Sequence, residues 1–497
     1  METLIELTKI VNRKRLSKID VFDKTFLNKD NTNLYYQLYS GIENGNIKND
    51  DDAGKLLYGT DKSDTRFKML KSRYKSKLLK TILLFNNDEL FNNDAGRVYY
   101  ECITDFQTIE TLIKITGTSN LVIELINERY AICQKYNFFD ILIKYSYHLT
   151  YYYSLKGQLK KYYQEQNRFN EYSSIYRSEL SARQIYNEII IQFTSSQPTN
   201  ESLLGKVKSC LYDFSLILNE IKNDEIIYLF YYASILYEEN VGNLDSINNL
   251  CDKIEILLKS NNIISTNTRL LTVHIYRIKA FLHLREYKSG LLIFNKDNSF
   301  FPLESSYNWF VLKEFEFKLY LQGNKIIEAY EVYESVLANK FYKRQVEELT
   351  EKWKIHHAYL VFMDSYLNNG DYKFSLAKFL NDVPVNTRDK GGYNFAIRIV
   401  ELLFQFARGE YNIIFQKMDG LRGYRTRYLN DNTYKRNHLF LSLLLKAEKE
   451  GFDGKAMKKA DWKEIDELRK LNTYIIADWE IMPYDVLWDI FVDLAKK

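Results

Sequence analysis

Apolar side chains recur three and four positions apart through almost every stretch between the polar loops of this chain, the spacing that lays one stripe along one face of an α-helix. Strand-type alternation is sparse. Polar breaks fall at 28–33, 44–52, 194–201, 260–267, 295–306 and 381–392, and most intervals between them hold two helices or more. The pattern predicts a succession of helical hairpins. Only 4 prolines and 19 glycines occur in 497 residues, too few for the turns of a multi-stranded β protein of this size.

Upstream, 111–118 and 120–135 predict one hairpin, followed by a helix over 138–155, a turn at Gly157 and a long helix from Leu159 to about Phe193. At the other end, 461–471 predict a charged helix. Residues 479–495 predict a final one, with Trp479, Met482, Val486 and Ile490 on one stripe, as a terminal unit covering an open end requires.

Within the hairpins, Tyr359, Phe362, Met363, Tyr366, Gly370, Tyr372, Ser375 and Phe379, followed by Pro384, have the spacing of a tetratricopeptide repeat, and the chain resembles that family. The resemblance implies two antiparallel helices over 353–380 meeting at 369–371. Gly370 would permit the tight turn, and Ser375, where the family prefers alanine, would face Tyr359 or Met363. A second copy reads Leu312, Phe315, Leu319, Gly323, Ala329, Tyr333 and Val336. A third reads Phe230, Ala233, Ser234, Tyr237, Gly242, Leu244, Ile247, Cys251 and Ile254, which places Cys251 as a buried thiol in a second helix. Gly409 and Tyr411 mark a further turn, and 276–294, with Ala280 and Tyr287, a shorter unit. The resemblance covers about 225–420 and is clearest at 308–384. The expected fold is all-α, an α-solenoid of tetratricopeptide-like helical hairpins with irregular helical N- and C-terminal regions. Its expected parts are a basic head (1–85), irregular hairpins (86–200), repeats (201–430) and a helical cap (431–497).

Composition narrows the function classes. Hydrophobic residues at 46% and charged residues at 27% are the balance of a folded chain. Cys102, Cys133, Cys210 and Cys251 lie far apart in sequence without a CxxC pair, which fits a reducing setting. Glu2, Glu6 and Lys9 interrupt the start of the chain, and no apolar run reaches about 18 residues, so a cytoplasmic protein with no membrane partner is expected. The nucleotide-cradling GxGxxG and GxxxxGK[ST], the nucleophile elbow GxSxG and the zinc helix HExxH are absent. His148, His274, His283, His356, His357 and His438 show no zinc spacing, and adjacent His356 and His357 point about 100° apart on a helix. Asp50, Asp51 and Asp52 lack the glycine and distal glutamate of a calcium loop and suit an N-cap and first helical turn. No catalytic residue, metal or cofactor is expected.

Charge then singles out two places. The net charge is +4, yet residues 1–85 hold 17 Lys/Arg against 11 Asp/Glu, so the head carries an excess of six positive charges. After Asp64, a plausible N-cap, residues 65–85 form a basic amphipathic helix: Phe67, Leu70, Tyr74, Leu78, Ile82 and Phe85 on the stripe, Lys68, Lys71, Arg73, Lys75, Lys77 and Lys80 on the other side. With the helix before it, this faintly resembles a helix-turn-helix, although the intervening turn at 59–63 is long. Lys68, Lys71, Arg73 and Lys75 would then contact nucleic acid; otherwise they are a solvated or partner-facing side. The second place is Arg422, Arg425 and Arg427, followed by Lys435 and Arg436 and interleaved with Tyr424, Tyr428 and Tyr434. It suits a carboxylate, a phosphate or an acidic peptide, or else a helix C-terminus decorated with cations. The 41 tyrosines and 30 phenylalanines are knobs between helices or anchors for a peptide. The expected function is a non-catalytic scaffold or adaptor that binds a protein or peptide along its repeat surface. The alternative is a signal-responsive transcriptional regulator with a DNA-contacting head.

Overall fold

The computed structural model describes residues 33–59, 64–82, 94–194, 201–220, 223–260, 263–264, 266–296, 301–383, 392–430, 434–459, 463–470 and 479–495. The chain divides into two compact units, Met1–Leu90 and Phe91–Lys497. Among the described residues it forms 22 α-helices, one short 3-10 turn and no strand, so the chain is all-α.

The first unit contains α1 (Leu34–Glu43), α2 (Asp50–Tyr58) and α3 (Thr65–Ile82). Asn49 caps α2 by accepting the Asp52 N–H at 2.9 Å, so the three aspartates fill the first turn, where the helix dipole favours carboxylates. Gly59 ends α2 at φ 67°. Asp64 accepts the Arg66 N–H at 2.8 Å and so opens α3 as expected. Phe67, Leu70, Tyr74 and Leu78 bury against Leu38, Ile42, Ile47 and Ala53. The expected continuation of α3 to Phe85 and the turn at 60–63 lie outside the described residues.

In the second unit α4 (Asp94–Thr116), α5 (Asn120–Lys135), α6 (Phe139–Leu155) and α7 (Leu159–Thr194) run up and down through short turns. Each turn holds one left-handed residue: Gly117 at φ 68°, Asn137 at 58° and Gly157 at 63°. Cys102, Ile109, Val122, Ile126, Cys133, Leu142 and Tyr145 fill the core between these helices. α8 (Glu201–Glu220) is an odd helix packed on both α7 and α9 (Asp224–Val241). The alternation of first and second helices restarts there. α9 pairs with α10 (Leu244–Lys259), α11 (Asn267–His283) with α12 (Tyr287–Lys296), and α13 (Tyr307–Gln322) with α14 (Ile326–Ala338). Next come α15 (Glu347–Leu367) with the short α16 (Leu376–Asp382), then α17 (Tyr393–Ala407) with α18 (Tyr411–Tyr428). α19 (Lys435–Lys449), α20 (Gly454–Lys459), α21 (Lys463–Lys470) and α22 (Tyr484–Ala495) complete the chain.

The α9–α10 hairpin is built from local signals. Asn223 caps α9, Gly242 at φ 82° closes it with its N–H on the Glu238 carbonyl at 2.8 Å, and Asn243 caps α10. Ala233, Ile247, Cys251 and Ile254 are fully buried between and behind the two helices. Leu312, Leu319, Ala329 and Val336 are likewise buried in α13–α14, although Asn324 at φ 58°, not Gly323, takes the left-handed position.

The hairpin expected over 353–380 departs from its pattern. Its turn is where expected, but Asn369, at φ 48°, is left-handed and Gly370 is not. Residues 371–375 form no regular secondary structure, and Ser375 is exposed, directly preceding a second helix of only seven residues, so it does not lie on Tyr359 or Met363. The cause is local. Tyr372 and Phe374, two positions apart, both turn inward, Tyr372 onto Phe362 at 5.6 Å and Phe374 stacked on Phe404 at 4.7 Å, a spacing that one face of a helix does not offer. The Arg408 guanidinium donates to the carbonyls of Tyr372 (2.8 Å) and Phe374 (2.6 Å), replacing the hydrogen bonds a helix would have supplied.

The C-terminal end also departs from its expected pattern. Trp479 and Met482 precede the last helix, which starts only after Pro483. Tyr484, Asp485, Leu487, Trp488, Ile490, Phe491, Val492 and Leu494 are all buried, while Asp489 and Asp493, one turn apart, form the exposed side of α22.

Candidate functional site

Residues 479–495 contact residues of, or next to, α11, α13, α15, α17 and α19. Beside α11, Arg285 Nη2 holds Asp485 Oδ2 at 2.6 Å. From α13, Gln322 Nε2 donates to the Ile481 carbonyl at 2.8 Å, and from α15 the Tyr366 hydroxyl donates to Asp493 at 3.2 Å. α17 supplies Phe395 against Tyr484 (5.8 Å) and Phe406 against Phe491 (5.1 Å). α19 supplies Phe440, stacked on Tyr484 at 4.7 Å, and Asn437, whose Oδ1 accepts the Tyr484 hydroxyl at 3.2 Å. These helices thus hold a segment that is irregular, then helical, rich in aromatic and acidic residues.

An ion pair fastens this segment. Arg436 Nε and Nη2 donate to the two Glu480 oxygens at 2.8 and 2.6 Å, and Nη1 donates to the Leu468 carbonyl at 2.9 Å. Both side chains are almost fully buried. Glu480 also accepts the Tyr484 N–H at 2.9 Å and so caps α22. Nearby, His283 is pushed down to about 3, by burial first and then by the cations Lys279, Lys318 and Arg436.

A second buried network joins α13 to α15. Glu314 meets Lys318 Nζ at 2.9 Å, Lys352 Nζ at 2.5 Å and His356 Nε2 at 3.5 Å. Burial raises the Glu314 carboxyl, but the two ammonium groups outweigh it and hold it well below the usual carboxylate range. Burial, only partly opposed by Glu314, lowers His356, whose Nδ1 donates to the Lys352 carbonyl at 2.7 Å. His357 faces elsewhere and stacks on Tyr333 at 4.8 Å. The acid is saturated by cations of its own chain. Among the described residues no group of three His, Cys, Asp or Glu side chains is placed to hold a metal ion.

The basic cluster around 422–436 is divided by the structure. Arg436 belongs to the core, and Lys435 pairs with Glu467 at 2.9 Å. Arg422 pairs with Asp419 and Glu448, and Arg425 Nη1 donates to the Ser442 hydroxyl at 3.0 Å. Tyr424 is buried, stacked on Phe395 at 6.4 Å beneath the Arg398 guanidinium, so it is not an open anchor. Tyr428 is half-buried against it, and Arg427 is exposed. In the first unit Lys68, Arg73 and Lys75 are exposed on α3, opposite its buried stripe. Lys71 departs from that face: it pairs with Asp50 of α2 at 2.6 Å, which removes it from the set that could meet phosphate without first losing this partner.

Sequence reasoning missed two features. Cys102 and Cys133, on neighbouring helices, are within hydrogen-bonding reach, which lowers the first thiol and, with burial, raises the second. No spacing signals this, because the residues are in different helices. Arg436 did carry a signal. It falls on the stripe of Phe440, Leu443 and Leu444, and a guanidinium on an apolar stripe demands a buried acid. Searches with this chain against family models, curated proteins and solved structures find no match.

Proposed function

We propose that the second unit is a non-catalytic scaffold, an α-solenoid resembling tetratricopeptide-repeat proteins, that holds a protein or peptide partner on the surface of its first helices. The observation that supports this is residues 479–495: five first helices already grip a segment of peptide-like length through main-chain, aromatic and arginine–carboxylate contacts. A partner would use the same chemistry on first helices that this segment does not cross. Arg422, Arg425, Arg427 and Tyr428 lie on the second helix α18 and are not counted in this partner surface. No helix among the described residues is long and apolar enough to cross a membrane, and a cytoplasmic partner fits the reduced thiols. The test is a photo-crosslinking scan in source cells, with the photoreactive residue placed at Tyr147 on α6 and, as a second-helix control, at Ile327 on α14, both exposed. A discrete adduct from the first position only is expected; equal adducts from both would sink the reading.

A second reading rests on the exposed Lys68, Arg73 and Lys75. If they grip duplex DNA, their replacement by glutamine weakens binding strongly and flattens its salt dependence, because each phosphate contact releases counterion. The scaffold reading expects only weak binding at physiological salt.

A further inference from the structure

Two neighbouring turns of the second unit carry a surface that the scaffold reading does not use. The α4–α5 turn is flanked by Ile115 and Leu121, and the α6–α7 turn by Leu155 and Leu159; Ile115 is 73% exposed and Leu159 66%, and the other two exceed half. Helices that alternate in direction put both turns at one end, and the Tyr152 hydroxyl ties them together by donating to Asn120 Oδ1 at 2.9 Å. Lys114, Lys156, Lys160 and Lys161 are exposed around them, and among the described residues none of the four makes an ion pair. Lys156 and Lys161 instead lie over the Tyr152 and Tyr153 rings. No Asp or Glu occurs in 111–123 or in 141–164.

The order along the helix axis is informative. Aliphatic side chains stand at the tips with the lysines beside them. Tyr151 and Tyr163 follow one turn back, each more than half exposed. The nearest carboxylate, exposed Glu124, stands one turn behind Leu121 on α5, level with the tyrosines, whereas Glu110 and Glu165 come further back and are engaged by His148 (2.6 Å) and Arg168 (2.6 Å). Aliphatic tip, cationic collar and tyrosine belt is the sequence of environments met on entering a bilayer surface from its hydrocarbon edge outward. Tips of separate turns offer no groove to a partner helix.

We propose that these two turns dock the chain on a membrane surface rich in anionic headgroups, with Ile115, Leu121, Leu155 and Leu159 entering the headgroup layer and the four lysines meeting the lipid phosphates and carboxylates. Peripheral attachment of this kind needs no membrane-spanning helix, and it stands whether or not the first helices hold a peptide. The full chain is sedimented with vesicles of phosphatidylcholine alone or with added phosphatidylserine. Binding to the second set only is expected. Replacing Lys156, Lys160 and Lys161 by glutamine should weaken it about fivefold per lysine. Leu155→Ser with Leu159→Ser should weaken it about tenfold or more while leaving the helical circular dichroism unchanged, because both side chains are exposed. Lys68→Gln with Arg73→Gln and Lys75→Gln in the first unit should leave it unchanged. Equal binding to both vesicle types, binding to neither, or retention by the serine variant overturns the proposal. Displacement by poly-glutamate as complete as by excess vesicles also overturns it and reassigns the turns to an acidic protein.

Discussion

Arg436→Met separates a segment that is fastened from one that is merely adjacent. The substitution keeps most of the apolar volume on α19 but leaves the Glu480 carboxylate buried with its principal partner gone, and frees the Leu468 carbonyl that Nη1 satisfied. Removing one member of a buried ion pair costs about 3–5 kcal/mol, because the remaining charge has lost its compensation without regaining water. The unmade hydrogen bond at Leu468 adds about 1 kcal/mol. Glu480 also caps α22, so the loss should be felt first in residues 480–492. Arg436→Met combined with Glu480→Leu removes both charges and should recover most of the cost, since a buried pair replaced by apolar groups is often close to neutral. Equilibrium urea unfolding followed by tryptophan fluorescence gives the cycle, with Trp479 and Trp488 reporting from the segment itself, and amide exchange localises the change. A single variant costing less than about 1 kcal/mol, with unaltered exchange in 480–492, would refute the reasoning.

His283, neutral in the fold with its value pushed down to about 3, has a folded value below its unfolded one near 6.5. Its contribution is therefore complete above pH 6.5 and drains as pH falls toward 3, at up to about 1.4 kcal/mol per pH unit, so urea unfolding of His283→Gln at pH 7 and pH 5 should show a shallower pH dependence than the parent chain; parallel curves would contradict this. Gly242→Ala, at φ 82°, should destabilise by about 1 kcal/mol, whereas Gly370→Ala should stay within about 0.5 kcal/mol, since its φ is not left-handed and its added Cβ would meet nothing nearer than Ser365 Cα at 3.6 Å. Thermal unfolding of the two variants decides it, and equal losses would be the wrong result. Cys251, pushed up to about 12 by burial, should label far more slowly with a thiol reagent in the native chain than half-buried Cys210; the reverse order would contradict its placement.

Helices and turns set by adjacent residues were legible in the chain: the stripe of α3, the long α7, and the α9–α10 hairpin with Asn223, Gly242 and Asn243 at its corners. What failed was decided by contacts across the fold. Tyr372 and Ser375 read as a helix start by family spacing, yet Phe404 and the Arg408 guanidinium, about thirty residues further on, hold residues 372–374 out of a helix. The stripe through Trp479 and Met482 reads as helix until Pro483 and the cap from Glu480 fix the start at Tyr484. The basic cluster read as a site because its acids, Glu448, Glu467 and Glu480, lie on later segments, where no local spacing betrays them.

The proposal that first helices of the second unit hold a partner is tested most directly by amide exchange on the full chain, alone and bound to the protein that the α6 crosslinker captures. Slowed exchange in first helices such as α4, α6 and α9, with α5, α7 and α10 unchanged, is the predicted result. Slowing confined to α3 of the first unit, or to second helices alone, would contradict it.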